Sequence, residues 1–134
     1  MGEMLLCRLT DARATLAFAP LRGFRQKLMG LLGTRCDSPP VALCDCSSVH
    51  TFGMGYDIDV ALVTHDGRVV VSRQRVPPGR IVRAPGAWYA LERPASTDPW
   101  PHVGSWLGIA LTSSAAKETK ATKAIAREDE HARG

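Results

Sequence analysis

The stretch Cys46 to Asp59, CSSVHTFGMGYDID, gathers a thiol, three aliphatic hydroxyls, an imidazole, two aromatic rings, a thioether and two carboxylates. Those types support three chemistries. Cys46 with His50 has the parts of a thiolate nucleophile and its base, with Asp57 or Asp59 to orient the ring. His50 with Asp59, or with the downstream Glu92, has the groups of a general acid and base. A metal site would draw on Cys44, Cys46 and His50, which share a parity if the strand runs on, with Cys36 reaching in from the preceding loop. Structural zinc sites, however, are built from two short Cys or His pairs, and Cys-x-Cys followed four residues later by His is not that pattern. The third chemistry is binding: His50, Met54, Asp59 and Glu92 lining one concavity, Arg80 as a charged clamp, and Phe52, Tyr56, Trp88 or Tyr89 as walls.

Each reading has a plainer counterpart. His50 and Asp59 can satisfy backbone groups in an irregular stretch, since buried polar groups need partners. Asp59 in particular suits backbone N–H groups or an arginine, and Glu92 suits a salt bridge across a sheet. Methionine fills irregular core gaps, and buried cysteines behave as small hydrophobes. No nucleophile elbow, phosphate loop or zinc-protease motif is present. Binding is therefore ranked ahead of catalysis, no metal or cofactor is expected, and a purely structural motif stays as an alternative.

The elements that must position these residues are short. MLLCRL and ATLAFA flank the turn-forming Thr10-Asp11 and read as an opening strand pair. Phe24, Leu28, Leu31 and Leu32 then fall at i, i+4, i+7 and i+8, the spacing of one buried helical face, with Gly33 to end it. From Val41 the period changes to two. IDVALVT and RVVVSRQ flank Asp66-Gly67, a strong signal for a two-residue hairpin loop. That loop sets His65 opposite Arg68, Leu62 opposite Val71, Val60 opposite Arg73 and Asp59 opposite Gln74. IVRA, AWYALER and SWLGIAL supply further strands between proline- and glycine-rich turns. In PWPHVGSW, Trp100, His102 and Trp106 could form a lid, but paired tryptophans are more often packing anchors.

A chain of 134 residues, 45% apolar, has room for one domain with a real core. The net charge of +4 is modest and does not by itself indicate nucleic-acid binding. Arg73, Arg75, Arg80 and Arg83 cluster, with Arg73 and Arg75 on one face of a regular strand. Such a stripe is a candidate for anion or nucleic-acid binding, but with no lysine in the region and few aromatics interleaved the favoured reading is a solvated edge that discourages sheet-to-sheet pairing. The N-terminus does not read as a secretion signal, and no run approaches the roughly 20 apolar residues of a spanning helix. A cytoplasmic location, reduced thiols and no membrane partner are expected. After Leu111 the composition turns to alanine and charge, with Ile125 as its one large aliphatic residue.

Three segments in order carry a resemblance: RGFRQKLMGLLGTR, CSSVHTFGMGYDIDVALVTHDGRVV and AWYALERP. Together they resemble the bacterial and archaeal domain of unknown function numbered 192, over about residues 4 to 112. Asp57 stands where that family usually has proline, and Gly55 where it commonly has a larger residue. The resemblance implies a compact jelly-roll-like β-sandwich and assigns no activity.

The expectation is thus a mainly β, jelly-roll-like sandwich over residues 1–112 with one N-terminal helix. A disordered or frayed-helical tail follows over 113–134. The expected role of the 1–112 domain is binding or accessory, toward a small ligand or protein partner, through His50, Met54, Asp59, Arg80 and Glu92.

Overall fold

The computed structural model describes residues 3–10, 12–21 and 37–112. The anticipated helix over Phe24 to Leu32 and the tail over 113–134 lie outside the described residues. Within them the chain forms nine strands: β1 Met4–Leu9, β2 Ala14–Leu21, β3 Val41–Cys44, β4 Ser48–His50, β5 Ile58–Val63, β6 Val69–Val76, β7 Ile81–Arg83, β8 Tyr89–Pro94 and β9 Leu107–Thr112. No helix occurs among the described residues.

Where the sequence suggests two facing sheets, seven strands make one continuous sheet in the order β6-β5-β8-β3-β2-β1-β9. Strands β4 and β7 pair separately as a short ribbon. Neighbours in the large sheet are antiparallel except β2 and β3, which run parallel and so need the long connection between them.

The sheet curls until its two ends meet. Arg68 bridges to Trp106, the Leu107 N–H donates to Gly67 O at 2.8 Å, and the Val69 N–H donates to Ser105 O at 2.9 Å. Gly67 is required at this closure: its φ is +102°, and a Cβ there would lie 2.6 Å from Leu107 O.

Curling buries one face of the sheet and the ribbon covers the other at β5, which explains why all six residues of IDVALV are buried rather than alternating. Ala61 and Val63 face the enclosed core with Leu5, Cys7, Phe18 and Trp100. Ile58, Val60 and Leu62 face a second core on the outer side, covered by Val49, Met54 and Val82 of the ribbon and its connection. Each fully buried aliphatic side chain contributes about 1.5–3 kcal/mol relative to exposure, so two-sided burial makes β5 the centre of the fold.

The opening strand pair forms as read, with Leu5 opposite Phe18 and Cys7 opposite Leu16. The β5–β6 hairpin keeps the anticipated pairs Leu62–Val71 and Val60–Arg73 but reaches them differently. Thr64 pairs with Arg68 through Thr64 N–H to Arg68 O, so the loop holds three residues, His65, Asp66 and Gly67. The Thr64 hydroxyl bonds Asp66 and accepts the Arg68 N–H at 3.0 Å, which stabilises the longer loop. An irregularity between Leu62 and Val63 restores the register. A second irregularity lies at Asp59. Val60 pairs with Arg73 and Ile58 with Val76, so Asp59 stands alone against Gln74 and Arg75.

Candidate functional site

The His50–Met54 segment divides into anchors and exposed groups. Thr51 is fully buried. Its hydroxyl donates to Pro77 O at 2.7 Å and accepts the Arg80 N–H at 2.8 Å. Its backbone N–H donates to Arg80 O, while its carbonyl accepts N–H groups from Met54 and Gly79. A single threonine thus fastens the whole β6–β7 connection. Met54 packs into the outer core. Between the two anchors Gly53 takes a φ of +81°, turning the chain so that Phe52 stays outside, 52% exposed. His50 is exposed too, its ring 5.6 Å from that of Phe52. Across the ribbon His50 pairs with Ile81, which is 61% exposed. The segment therefore presents an imidazole, an aromatic ring and an isoleucine on a rigid support.

Asp59 is the second anchor. It is fully buried, and Arg93 Nε donates to its Oδ2 at 2.8 Å. Oδ2 also accepts the Ser96 N–H at 3.2 Å, and Oδ1 accepts the Arg75 N–H at 3.0 Å. The Arg93 guanidinium donates further to Pro99 O and Asp98 O and lies 4.4 Å from the centre of the Trp100 ring. Such a fork, filled by one carboxylate and two carbonyls and stacked on an aromatic face, suits arginine alone. Trp100 also packs edge-on against Phe18, as an anchor rather than a lid. Trp106 stays about half exposed at the sheet closure.

The expected pocket residues do not converge. Asp59 pairs with Arg93 across β5–β8, whereas Glu92 pairs with Val60 and Val41 and shares the outer-core face with them. Asp59 and Glu92 therefore project from opposite faces of the sheet, because neighbouring residues of a strand alternate. None of the partners of Asp59 is His50, so an acid–base pair of those two is not assembled. Cys44 is buried, Cys46 is partly exposed with its thiol donating to Ser48 O, and Cys36 lies outside the described residues. No three His, Cys, Asp or Glu side chains among the described residues are grouped to hold a metal.

The described surface includes three grooves of note. One, about 470 Å³, runs beside Cys44, Trp88 and Leu111. Another, about 280 Å³, lies by Phe18, Arg93 and Trp100. The third, about 350 Å³, lies between β6 and β7 and is lined by Arg73, Arg75, Pro77, Arg80, Ile81 and neighbours. None of the three is lined by His50, Met54, Asp59 or Glu92. Of the anticipated binding residues, Arg80 lines the third groove, while the anticipated walls Trp88 and Tyr89 line the first. The buried anchors Thr51 and Arg93 are absent from the residues singled out by sequence. Arg93 was legible in part: it follows Glu92, and antiparallel pairing places one of the two opposite Asp59.

No family model matches the chain, and no curated protein is similar to it. Two solved structures share its fold. A "putative transcription regulator" from Sinorhizobium meliloti 1021 is 17% identical, covering 80% of this chain and 93% of that one, with a TM-score of 0.67. A protein of unknown function from Novosphingobium aromaticivorans DSM 12444 is 14% identical, covering 80% of this chain and 83% of that one, with a TM-score of 0.62. At these identities the likeness extends to the fold, and this chain is a small mainly β domain of that architecture.

Proposed function

We propose that the domain is a binding module whose recognition face is the surface shared by the His50–Met54 segment and the β6–β7 connection. The observation that carries this reading is the way Thr51 and Asp59 are used. Both are fully buried, and both bond the backbone of the arginine-bearing stretch that runs from the end of β6 into the β6–β7 connection: Asp59 accepts the Arg75 N–H in β6, while Thr51 donates to Pro77 O and accepts the Arg80 N–H in the connection. Asp59, which the sequence offers as a ligand, is thus with Thr51 part of a foundation, while the groups the two support face outward. On this reading His50, Phe52 and Arg80 contact the ligand, and Met54 and Asp59 hold the surface in shape. Rigid support of exposed contacts reduces the ordering cost of binding.

The same reading groups the chain with the domain of unknown function numbered 192, supported by the resemblance of CSSVHTFGMGYDIDVALVTHDGRVV, whose Thr51 and Asp59 are the two buried anchors. A cytoplasmic setting belongs to it as well, in keeping with the free thiols Cys7, Cys44 and Cys46.

The test is an amide chemical-shift screen of a mixed small-molecule library against the full chain, followed by His50→Ala and Phe52→Ala. Hits should perturb residues 50–54 and 73–82. Both variants should keep wild-type stability within about 0.5 kcal/mol, as exposed substitutions do, and weaken the hits. Hits confined to the groove beside Trp88, or unaffected by either variant, would refute this face.

A further inference from the structure

We infer that the groove between β6 and β7 binds a small, multiply charged anion of the phosphate or carboxylate class, held by Arg73, Arg75 and Arg80. The inference rests on the recognition face proposed above and names what that face takes.

The groove, about 350 Å³, is lined by these three arginines, and no acidic side chain lines it. The buried Arg93 is paired with Asp59; the guanidinium groups of Arg73, Arg75 and Arg80 have no carboxylate partner among the described residues. Three like charges facing one cleft repel one another, and an anion in the cleft relieves that repulsion while gaining charge-assisted hydrogen bonds. Arginine's planar fork fits the paired oxygens of a carboxylate or phosphate.

The arrangement is built rather than incidental. Regular alternation would set Arg73 and Arg75 on one face of β6 and Val76 on the other. Instead the irregularity opposite Asp59 lets Val76 join the outer core while Arg75 stays on the rim. Arg75 takes a left-handed φ of +54°, which non-glycine residues adopt at a cost, and its N–H is held by the buried Asp59 carboxylate. On the opposite wall, Thr51 fixes the backbone N–H and carbonyl of Arg80. A basic edge that merely deters sheet pairing needs the charges but not two buried polar anchors fixing the backbone beneath them.

The measurement is titration calorimetry of the full chain with inorganic tripolyphosphate and, separately, citrate, at two salt concentrations. Arg73→Ala, Arg80→Ala and their double variant are compared with Arg68→Ala, an exposed arginine outside the groove. Tripolyphosphate or citrate should bind, and the stronger of the two assigns the oxygen chemistry. Each groove variant should weaken that binding about tenfold, the double variant should weaken it further, and Arg68→Ala should leave it within about twofold. Raising the salt should weaken binding to the wild type more than to the double variant. Absence of binding by either anion at low salt, or an equal loss in Arg68→Ala, overturns the inference. If uncharged hits from the library perturb residues 50–54 and 73–82 while neither anion binds, the anion assignment fails and the recognition face stands. If nothing perturbs those residues, both fail.

Discussion

Arg93 Nε lies 2.8 Å from Asp59 Oδ2, and both side chains are buried. The pair joins β5 to β8, and its remaining bonds reach Arg75 on β6 and Ser96, Asp98 and Pro99 beyond β8. Removing the carboxylate leaves a buried guanidinium without its counter-charge and three N–H donors without an acceptor. Asp59→Ala should therefore cost about 3–5 kcal/mol of stability, measured by urea denaturation. Asp59→Asn, which keeps shape and part of the acceptor set, should cost less. Equal and small losses in the two variants would show that the pair is not a structural centre.

Thr51 makes a separable contribution. Thr51→Val keeps the volume but removes an acceptor for Arg80 N–H and a donor for Pro77 O. With one buried N–H left unsatisfied, a loss of about 1–3 kcal/mol is expected. Hydrogen exchange of the Arg80 amide should speed up more than that of β5 amides, since the damage is local. Thr51→Ser should restore most of the stability. Failure of serine to rescue would assign the effect to the methyl group and not to the hydroxyl.

The strands were legible because their signals are local. Alternation and turn residues locate the opening pair and the β5–β6 hairpin without knowledge of the rest of the chain. Asp-Gly alone predicts a two-residue loop, and the loop is longer because Thr64 and Asp66 bond each other, a side-chain competition that the dipeptide does not display. The site was less legible, since parity within one strand says nothing of which face a neighbouring strand shares. Asp59 and Glu92 look equivalent as isolated acids, and only the β5–β8 register separates them onto opposite faces. Likewise Arg73 and Arg75 look like a simple stripe until Asp59 is seen to hold the irregularity between them. A single curled sheet in place of two facing sheets depends on contacts such as Leu107 with Gly67, far apart in sequence.

That closure can be tested on its own. Gly67→Ala places a methyl group against Leu107 O and forces alanine into a positive φ. A loss of about 1–3 kcal/mol is expected from the backbone conformation alone, with the close approach adding to it. Amides of Val69, Gly104 and Leu107, which carry the closing bonds, should lose exchange protection first. Uniform loss of protection across the sheet would mean that closure is inseparable from global folding.

Cys7 gives the fold an alkaline limit. The thiol is buried in the enclosed core, and desolvation pushes its pKa from 9.0 up to about 12. Between those values the folded chain keeps a proton on Cys7 that the unfolded chain releases. Stability from this group is therefore complete below pH 9 and declines as pH rises toward 12. Other alkaline groups titrate in the same window, so the informative quantity is the difference between wild type and Cys7→Ala. The variant should be less stable near neutral pH, because a buried side chain is shortened, yet lose less on going from pH 8.5 to pH 11. In the native state at pH 8.5 a thiol reagent should label the partly exposed Cys46 well before Cys7. Parallel pH profiles for the two proteins, or early labelling of Cys7, would show that its burial does not control its ionisation.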